Sequence, residues 1–521
     1  MNNSHFSVRS KVIADLALLS EATVVGYAAV IHGLGLQMPM PSTIALVVNS
    51  PGRRFESGFH YFHIAYSPQD STDLDRITAL YNHLVFALKY EGVDLLFFKK
   101  LTACLSREEC VQLVSVEPTG QYSRRIWFLI EWLLGERLAI DDLTKKSYVK
   151  VIDTRLQYAV AGVRSPRHKV INNLPGCVGF CPLIRKTAKL DAYVSADFAD
   201  KASRLLHGFR KDVLQRAAAF LMLKDSKASF TIEGESAKGK RAALWGQAIA
   251  QAGKNDLSVD ELCRLQNMVI ENARFIQMGI RKQGGFVGEH DRVTGEPIPD
   301  HISAKHEDLE ALLQAFTEAS QLLVSDSIDA GVAAAKLAFG FVFIHPFVDG
   351  NGRIHRYLIH HVLAAKGFAS KGVVFPVSAA ILDAIDEYRQ VLEAYSKPLL
   401  VFIDWMETSD HNVAVNNETI DFYRYIDLTL QAEFLYGCIE KTLNDIIPKE
   451  VNYLLAYDEF KGFVDGSFEM PDSTVALMVR FLEQNNGRFS KRALTNEFAA
   501  LTSDEITKVE AEYKRVFGSA D

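Results

Sequence analysis

The stretch that most limits how this chain can fold is residues 345–356, which read His-Pro-Phe-Val-Asp-Gly-Asn-Gly-Arg-Ile-His-Arg. Ahead of it runs a helical pattern rich in small residues, Gly331, Ala333, Ala334, Ala335, Ala338 and Gly340, which lets a neighbouring element approach closely. Pro346 ends that helix, because its ring removes a backbone donor and clashes with the preceding turn. A second helix begins near Gly352, where Ile354, Leu358 and Val362 repeat every four residues and bury one face. The sequence therefore predicts a tight loop between two packed helices.

The same residues carry a chemistry. Gly350 and Gly352 let the backbone turn sharply and approach a ligand, so the first N–H groups of the second helix can converge on an anion. Arg353 and Arg356, three apart on one helical face, add two guanidinium forks, which suit the outer phosphates of a nucleotide better than a lone carboxylate. Asp349 offers the hard oxygen that Mg²⁺ requires beside phosphates. His345 at the loop entrance is the group there that can take a proton near pH 7. Any one of these residues fits a plain helical corner with solvated arginines; all of them within one short loop describe a phosphate site with a base.

The stretch resembles, at every defined position, the His-Pro-Phe-x-Asp/Glu-Gly-Asn-Gly/Lys-Arg-x-x-Arg motif of the Fic (Fido) family. The resemblance implies transfer of AMP from ATP to a Ser, Thr or Tyr hydroxyl of a target protein, with release of pyrophosphate. It implies that His345 deprotonates the hydroxyl and that Asp349 holds Mg²⁺ across the α- and β-phosphates. Asn351 and the backbone of Gly350, Gly352 and Arg353 would hold the phosphates, with Arg353 and Arg356 on the β- and γ-phosphates. The partners implied are target proteins bearing a hydroxyl; self-modification and a homodimer are compatible with it.

A second segment, Ser229-Phe230-Thr231-Ile232-Glu233-Gly234, resembles the family's inhibitory Ser/Thr-x-x-x-Glu-Gly/Asn motif. By that resemblance Glu233 pairs with Arg356 and displaces the γ-phosphate, as a carboxylate in an arginine fork competes with phosphate for the same donors. Residues 278–299 hold too many glycines and prolines for a helix and read as a loop or short hairpin. Within it Ile280, Arg281, Lys282, Gln283, Gly284 and Gly285 lie where the family has a flap that registers the target by strand-like pairing. Gly234 also opens Gly-x-x-x-x-Gly-Lys-Arg, but Arg241 stands where a P-loop needs Ser or Thr, and no apolar strand leads into it. Cys177, Cys181 and His168 lack a fourth zinc ligand and tight spacing, and His355, His360 and His361 read as helix histidines.

The expected fold is mainly α: an all-helical Fic core with a short β flap over residues 191–410, preceded by an α+β domain at 1–190 and followed by a winged-helix-like domain at 411–521. A length of 521 residues calls for two or three domains. Within the last region, helices are expected at 474–484, 491–501 and 504–517, with Ser490 and Ser503 as N-caps. The last of these balances Asp504, Glu505, Glu510 and Glu512 against Lys508, Lys514 and Arg515, which favours protein contact over nucleic acid. Composition agrees: 48% hydrophobic and 23% charged residues describe a folded, soluble protein, and a net charge of −7 withholds the field of a general nucleic-acid binder. Six cysteines do not make a disulfide scaffold. Arg9, Lys11, Asp15 and Glu21 ahead of an interrupted apolar stretch argue against a signal peptide or membrane span, so a cytoplasmic protein without membrane partners is expected. Two other readings use the same residues: removal of AMP or use of another nucleotide donor, and a winged-helix binding protein with a vestigial nucleotide site.

Overall fold

In the computed structural model the described residues are all except 1–3, 14–15, 50–51, 57, 237–238, 271–272, 369–374 and 519–521. The fold is mainly α, with small sheets, and the chain divides into two compact units. One comprises residues 1–196, 251–366 and 384–436; the other comprises 197–250, 367–383 and 437–521.

In the first unit the apolar run Ile44–Val48 pairs in parallel with Phe59–His63, and both are buried as expected of a central pair. Leu16–Val24, then Val8–Ile13, extend one edge, and Arg54–Glu56 closes the other. The helix Arg76–Tyr90 covers this sheet through Phe86, which packs with Val25, Val47 and Phe62. Asp70 ties down the N-terminal segment by accepting the N–H groups of His5, Phe6 and Ser7. Ser7, His83 and Asp70 touch one another, yet this is not a hydrolytic triad. His83 Nδ1 accepts the N–H of Gly26, so the proton is on Nε2, facing Asp70 and Ser7, and the ring has no lone pair for the serine.

The helix Gln121–Leu134 carries Glu131, whose carboxylate gathers Trp127 Nε1, the N–H of Leu138, the Arg167 guanidinium and His168 Nε2. Burial alone would raise its pKa, but the hydrogen bonds from Arg167, Trp127 and Leu138 outweigh burial and hold it down to about 2. A depressed carboxylate stabilises the fold above its unfolded pKa and loses that contribution as pH falls towards the folded value. Here the window runs from about 4.5 down to about 2. We expect Glu131→Gln to flatten the acid limb of the stability profile by on the order of 3 kcal/mol, read from urea midpoints across that window. An unchanged limb would contradict the assignment.

The helix Ala330–Ile344 is buried along its whole length. Its small residues act as expected: a Cβ on Gly340 would lie 2.4 Å from the Phe180 ring, and one on Gly331 2.6 Å from that of Tyr436. Lys336 in the middle of this helix donates to the carbonyl of Pro182 at 2.5 Å, and burial pushes its ammonium down to about 7. His355 and His361 lie in the core, with Nδ1 bonded to Ala338 O and to Gly253 N–H respectively. Cys177 and Cys181 are thiols raised by burial, Cys181 to about 12.

In the second unit residues 201–223, whose periodicity alone predicts one helix, lie in two, Phe198–His207 and Lys211–Ile232, because Gly208 interrupts the run. Asp225, fully buried, joins the longer helix to Val377–Asp383 by accepting Ser378 N–H at 2.6 Å and its hydroxyl at 2.9 Å. The helices Ile447–Ser467, Asp472–Gln484, Lys491–Asn496 and Ser503–Phe517 share a core of Phe460, Val475, Met478, Leu482 and Val509. Ser490 is an N-cap as expected, but Thr502 caps the last helix in place of Ser503, in a capping box with Glu505. The described residues of 437–518 hold no strand, so the wing that a winged-helix domain would carry is not found there. The last helix uses its charges internally: Arg515 pairs with Glu512 and Glu459, Lys508 with Asp504. Among the described residues no helix is long and apolar enough to cross a membrane.

Candidate active site

The site is built where the helix Ala330–Ile344 meets Asn351–Ala365. His345 is the C-cap of the first helix in a left-handed conformation (φ 54°), which swings the chain out of the helix axis before Pro346. Its Nδ1 bonds to the carbonyl of Val342 at 3.1 Å. A carbonyl can only accept, so Nδ1 carries the proton and the neutral ring has its lone pair on Nε2, the form a general base requires.

Gly350 sits at φ 97°, a conformation that disfavours any side chain, and opens the second helix as its N-cap. The second helix starts at Asn351, one residue before the position expected. Asn351 braces the loop: its Nδ2 donates to Phe347 O at 2.8 Å and its Oδ1 accepts Phe347 N–H at 3.0 Å. Gly352 lies in the first turn beside it, where N–H groups point out of the helix end. Arg353 and Arg356, each 1% exposed, bring two guanidiniums to that turn. Arg353 Nη2 meets Asp349 Oδ1 at 2.8 Å, and the same oxygen accepts Gly350 N–H at 2.5 Å. The second oxygen of Asp349 is left to the solvent side, since the carboxylate is 39% exposed. One outward carboxylate oxygen beside an anion cradle suits Mg²⁺, which takes one or two carboxylates plus substrate phosphates. Among the described residues no cluster of three or more His, Cys, Asp or Glu offers a metal cage of its own.

The flap begins by clasping this loop. Ile280 forms an antiparallel bridge with Phe347, and Arg281 N–H bonds to Pro346 O at 3.0 Å. The Arg281 side chain, buried, donates to the carbonyls of His345 at 2.9 Å, Gln283 at 2.7 Å, and Ala304. Burial lowers its pKa to about 10, still charged at neutral pH. Lys282 and Gln283 are exposed. Gly284 has no room for a side chain, because a Cβ would stand 1.8 Å from the carbonyl of Val413. Gly285 O accepts Ser303 N–H at 2.9 Å. The strands themselves come later, Phe286–His290 paired with Pro297–Ile302, so of the loop-or-hairpin alternatives the hairpin is found.

Two residues escaped the sequence reading. Gln266, fully buried, donates to Asp349 O at 3.2 Å and accepts Gly279 N–H at 2.7 Å, so one amide spans the 345–356 loop and the root of the flap. His301 bonds through Nε2 to Phe343 O at 2.8 Å and through Nδ1 to the Ser396 hydroxyl at 3.0 Å, with its ring 6.5 Å from that of His345. Burial first, then His345, push its pKa to about 3, so it stays neutral. Nothing marks either in the sequence, since an isolated Gln or His on a helix or strand has no spacing signal.

The segment 229–234, expected from the resemblance to be inhibitory, belongs to the second unit. Ser229 is fully buried, Glu233 is the C-cap of Lys211–Ile232, and Gly234 follows at φ 72°. Glu235 N–H bonds to Phe230 O and Gly234 N–H to Thr231 O, the pair of bonds of a Schellman turn, which explains the glycine after the glutamate.

A model of the Fic/DOC family matches residues 256–363, which include the flap and the loop. The chain carries a Fic domain. The chain is 26% identical over 167 residues to the protein adenylyltransferase Fic of Nematostella vectensis, covering 32% of this chain and 34% of that protein. It is 29% identical over 171 residues to the protein adenylyltransferase fic-1 of Caenorhabditis elegans, covering 30% and 31%. The chain thus spans about a third of the length of the curated relatives it matches. Among solved structures, a Fic family protein from Desulfovibrio desulfuricans G20 matches with a TM-score of 0.35 and 16% identity, over 64% of this chain and 86% of that one. A Fic domain containing signaling protein from Bacteroides thetaiotaomicron matches with 0.35 and 17%, over 51% and 97%.

Proposed function

We propose that the Fic domain transfers AMP from ATP to a hydroxyl side chain of a target protein, releasing pyrophosphate. The observation that carries this reading is the loop itself: a histidine whose Nδ1 is committed to Val342 O, set beside a glycine-opened helix end with two buried guanidiniums. The relatives' printed names, protein adenylyltransferase, support the same reaction class. In it the target hydroxyl loses its proton to His345 Nε2 as its oxygen attacks the α-phosphorus in line. The bond to the pyrophosphate oxygen breaks, and the leaving charge falls to Arg353, Arg356 and the first-turn N–H groups. Mg²⁺ at Asp349 would supply further neutralisation of the phosphates. The chain's own work is positioning: Asn351 fixes the loop, while Arg281 and Gln266 register the flap against it.

Restraint by Glu233 belongs to the same proposal and rests on the 229–234 motif. The experiment is to incubate wild type and Glu233→Gly with α-³²P ATP, Mg²⁺ and a lysate, and to look for labelled protein. At least tenfold more label in Glu233→Gly is expected. No label in either form would overturn the adenylyl reading, and parallel lanes with labelled CTP, GTP and UTP separate a different donor from an inactive site.

A further inference from the structure

The net charge of −7 hides a local excess of the opposite sign. Residues 145–169 hold seven Lys and Arg against one carboxylate, that of Asp153. They lie in the first unit, where Val149–Lys150, Val170–Asn172 and Val163–Ser165 form a three-stranded sheet with Val170–Asn172 in the middle.

Pairing decides which side chains share a face. Val170 is buried and stands opposite Val149 and Ser165, so that row looks inward. The next row, Lys150, Ile171 and Arg164, looks outward, and its two cations are exposed. Tyr148, two residues before Lys150, joins this face: Arg164 Cζ lies 5.2 Å from its ring centre and Lys169 Nζ 5.5 Å. Arg124 secures the rim, its Nη1 donating to the carbonyls of Ser147 at 2.9 Å and of Lys169 at 3.2 Å. Lys169 stands there at φ 52°, a left-handed conformation uncommon outside glycine and asparagine.

The fold leaves most of these charges unused. Asp153 is taken by Arg155, and Glu131 with Asp142 by Arg167. Among the described residues no carboxylate pairs with Lys145, Lys146, Lys150, Arg164 or Lys169, and of the three carboxylates in 141–169 Asp141 alone is unpaired. Arg125, next to Arg124, adds a guanidinium that is 8% exposed, lies 5.4 Å from the Tyr122 ring and makes no hydrogen bond among the described residues.

Unpaired cations repeated along one face select a partner that repeats its negative charge. The ring narrows the choice. A guanidinium laid against a tyrosine is a platform for an unstacked base, while the flanking ammoniums take phosphates. An acidic peptide would use the charges and leave the platform idle, and a duplex keeps its bases stacked. An anionic bilayer would want apolar side chains to insert, and among the described residues of 145–172 Val163 is the one large apolar side chain exposed.

We propose that this sheet face binds a single-stranded nucleic acid, with a base on the Arg164–Tyr148 pair and phosphates on Lys150 and Lys169. The inference stands apart from the transferase reading. The full chain is titrated into fluorescein-labelled oligo(U) and oligo(dT) of about twelve nucleotides, with anisotropy as the readout. Saturable binding of at least one strand is expected, and the tighter of the two assigns the sugar. Three phosphate contacts give a log–log salt slope of about −2, a loss of about twentyfold in affinity between about 50 and about 200 mM salt.

Lys150→Gln with Arg164→Gln changes exposed residues, so the unfolding midpoint should hold while affinity falls at least tenfold and the salt slope flattens by about 1.4. Tyr148→Leu should weaken binding at least fivefold and leave the slope unchanged. The proposal is overturned if neither strand binds at about 50 mM salt, or if a duplex, an oligoglutamate peptide or phosphatidylserine vesicles bind as tightly as the strand. It is equally overturned if the double variant or Tyr148→Leu binds as the wild type does.

Discussion

Changing His345 to asparagine in a Glu233→Gly background lowers protein labelling from ATP by about a hundredfold or more, the range expected for losing a general base. Asparagine is the right replacement because the residue sits at φ 54°, a left-handed conformation that Asn tolerates better than most residues. It leaves the turn into Pro346 intact and removes only the nitrogen that can take a proton. His345→Ala should be as inactive but less stable, since alanine is strained at that φ. The comparison is read from label per protein alongside unfolding midpoints. Asparagine that retained a tenth or more of the labelling would mean that His345 is not the base.

Much of this site was legible in the sequence because its residues are contiguous. The proline stop, the glycine turn and the arginine pair fall within 345–356, and local rules place them at a helix end without tertiary information. The same holds for Gly234 after Glu233, where the helix must end in a left-handed residue. What could not be read was whatever depends on residues distant in the chain. Arg281 looked like part of a docking surface because it lies in a glycine-rich loop; instead its side chain is buried on three carbonyls, one of them His345 O. Gln266 likewise reaches the loop from far away in the chain, donating to Asp349 O and accepting Gly279 N–H.

Interleaving behaves in the same way. The segments 197–250, 367–383 and 437–521 form one unit, and the buried Asp225 to Ser378 bonds that help join them carry no local periodicity. Shorter errors have local causes that pattern reading weighs poorly. Gly208 divides a run that looks continuous, and Thr502 outcompetes Ser503 as cap because only it stands three residues before Glu505.

The buried guanidinium of Arg281 leads to the second large effect. Arg281→Met removes three side-chain hydrogen bonds and leaves carbonyls of His345, Gln283 and Ala304 without their charged donor. Buried acceptors deprived of a partner cost about 1–3 kcal/mol each, and relaxation recovers part of this, so a loss of about 3 kcal/mol is expected in urea unfolding. Catalysis should suffer beyond stability, because the same side chain sets the carbonyl of His345 and keeps Ile280 bridged to Phe347. In a Glu233→Gly background, measured well below the unfolding midpoint, labelling should fall at least tenfold. Arg281→Lys distinguishes registration from mere folding: an ammonium keeps the charge but lacks the planar fork that reaches three carbonyls at once, so it should recover stability more than labelling. If Arg281→Lys restored both fully, the arginine would be holding the fold and not registering flap and loop.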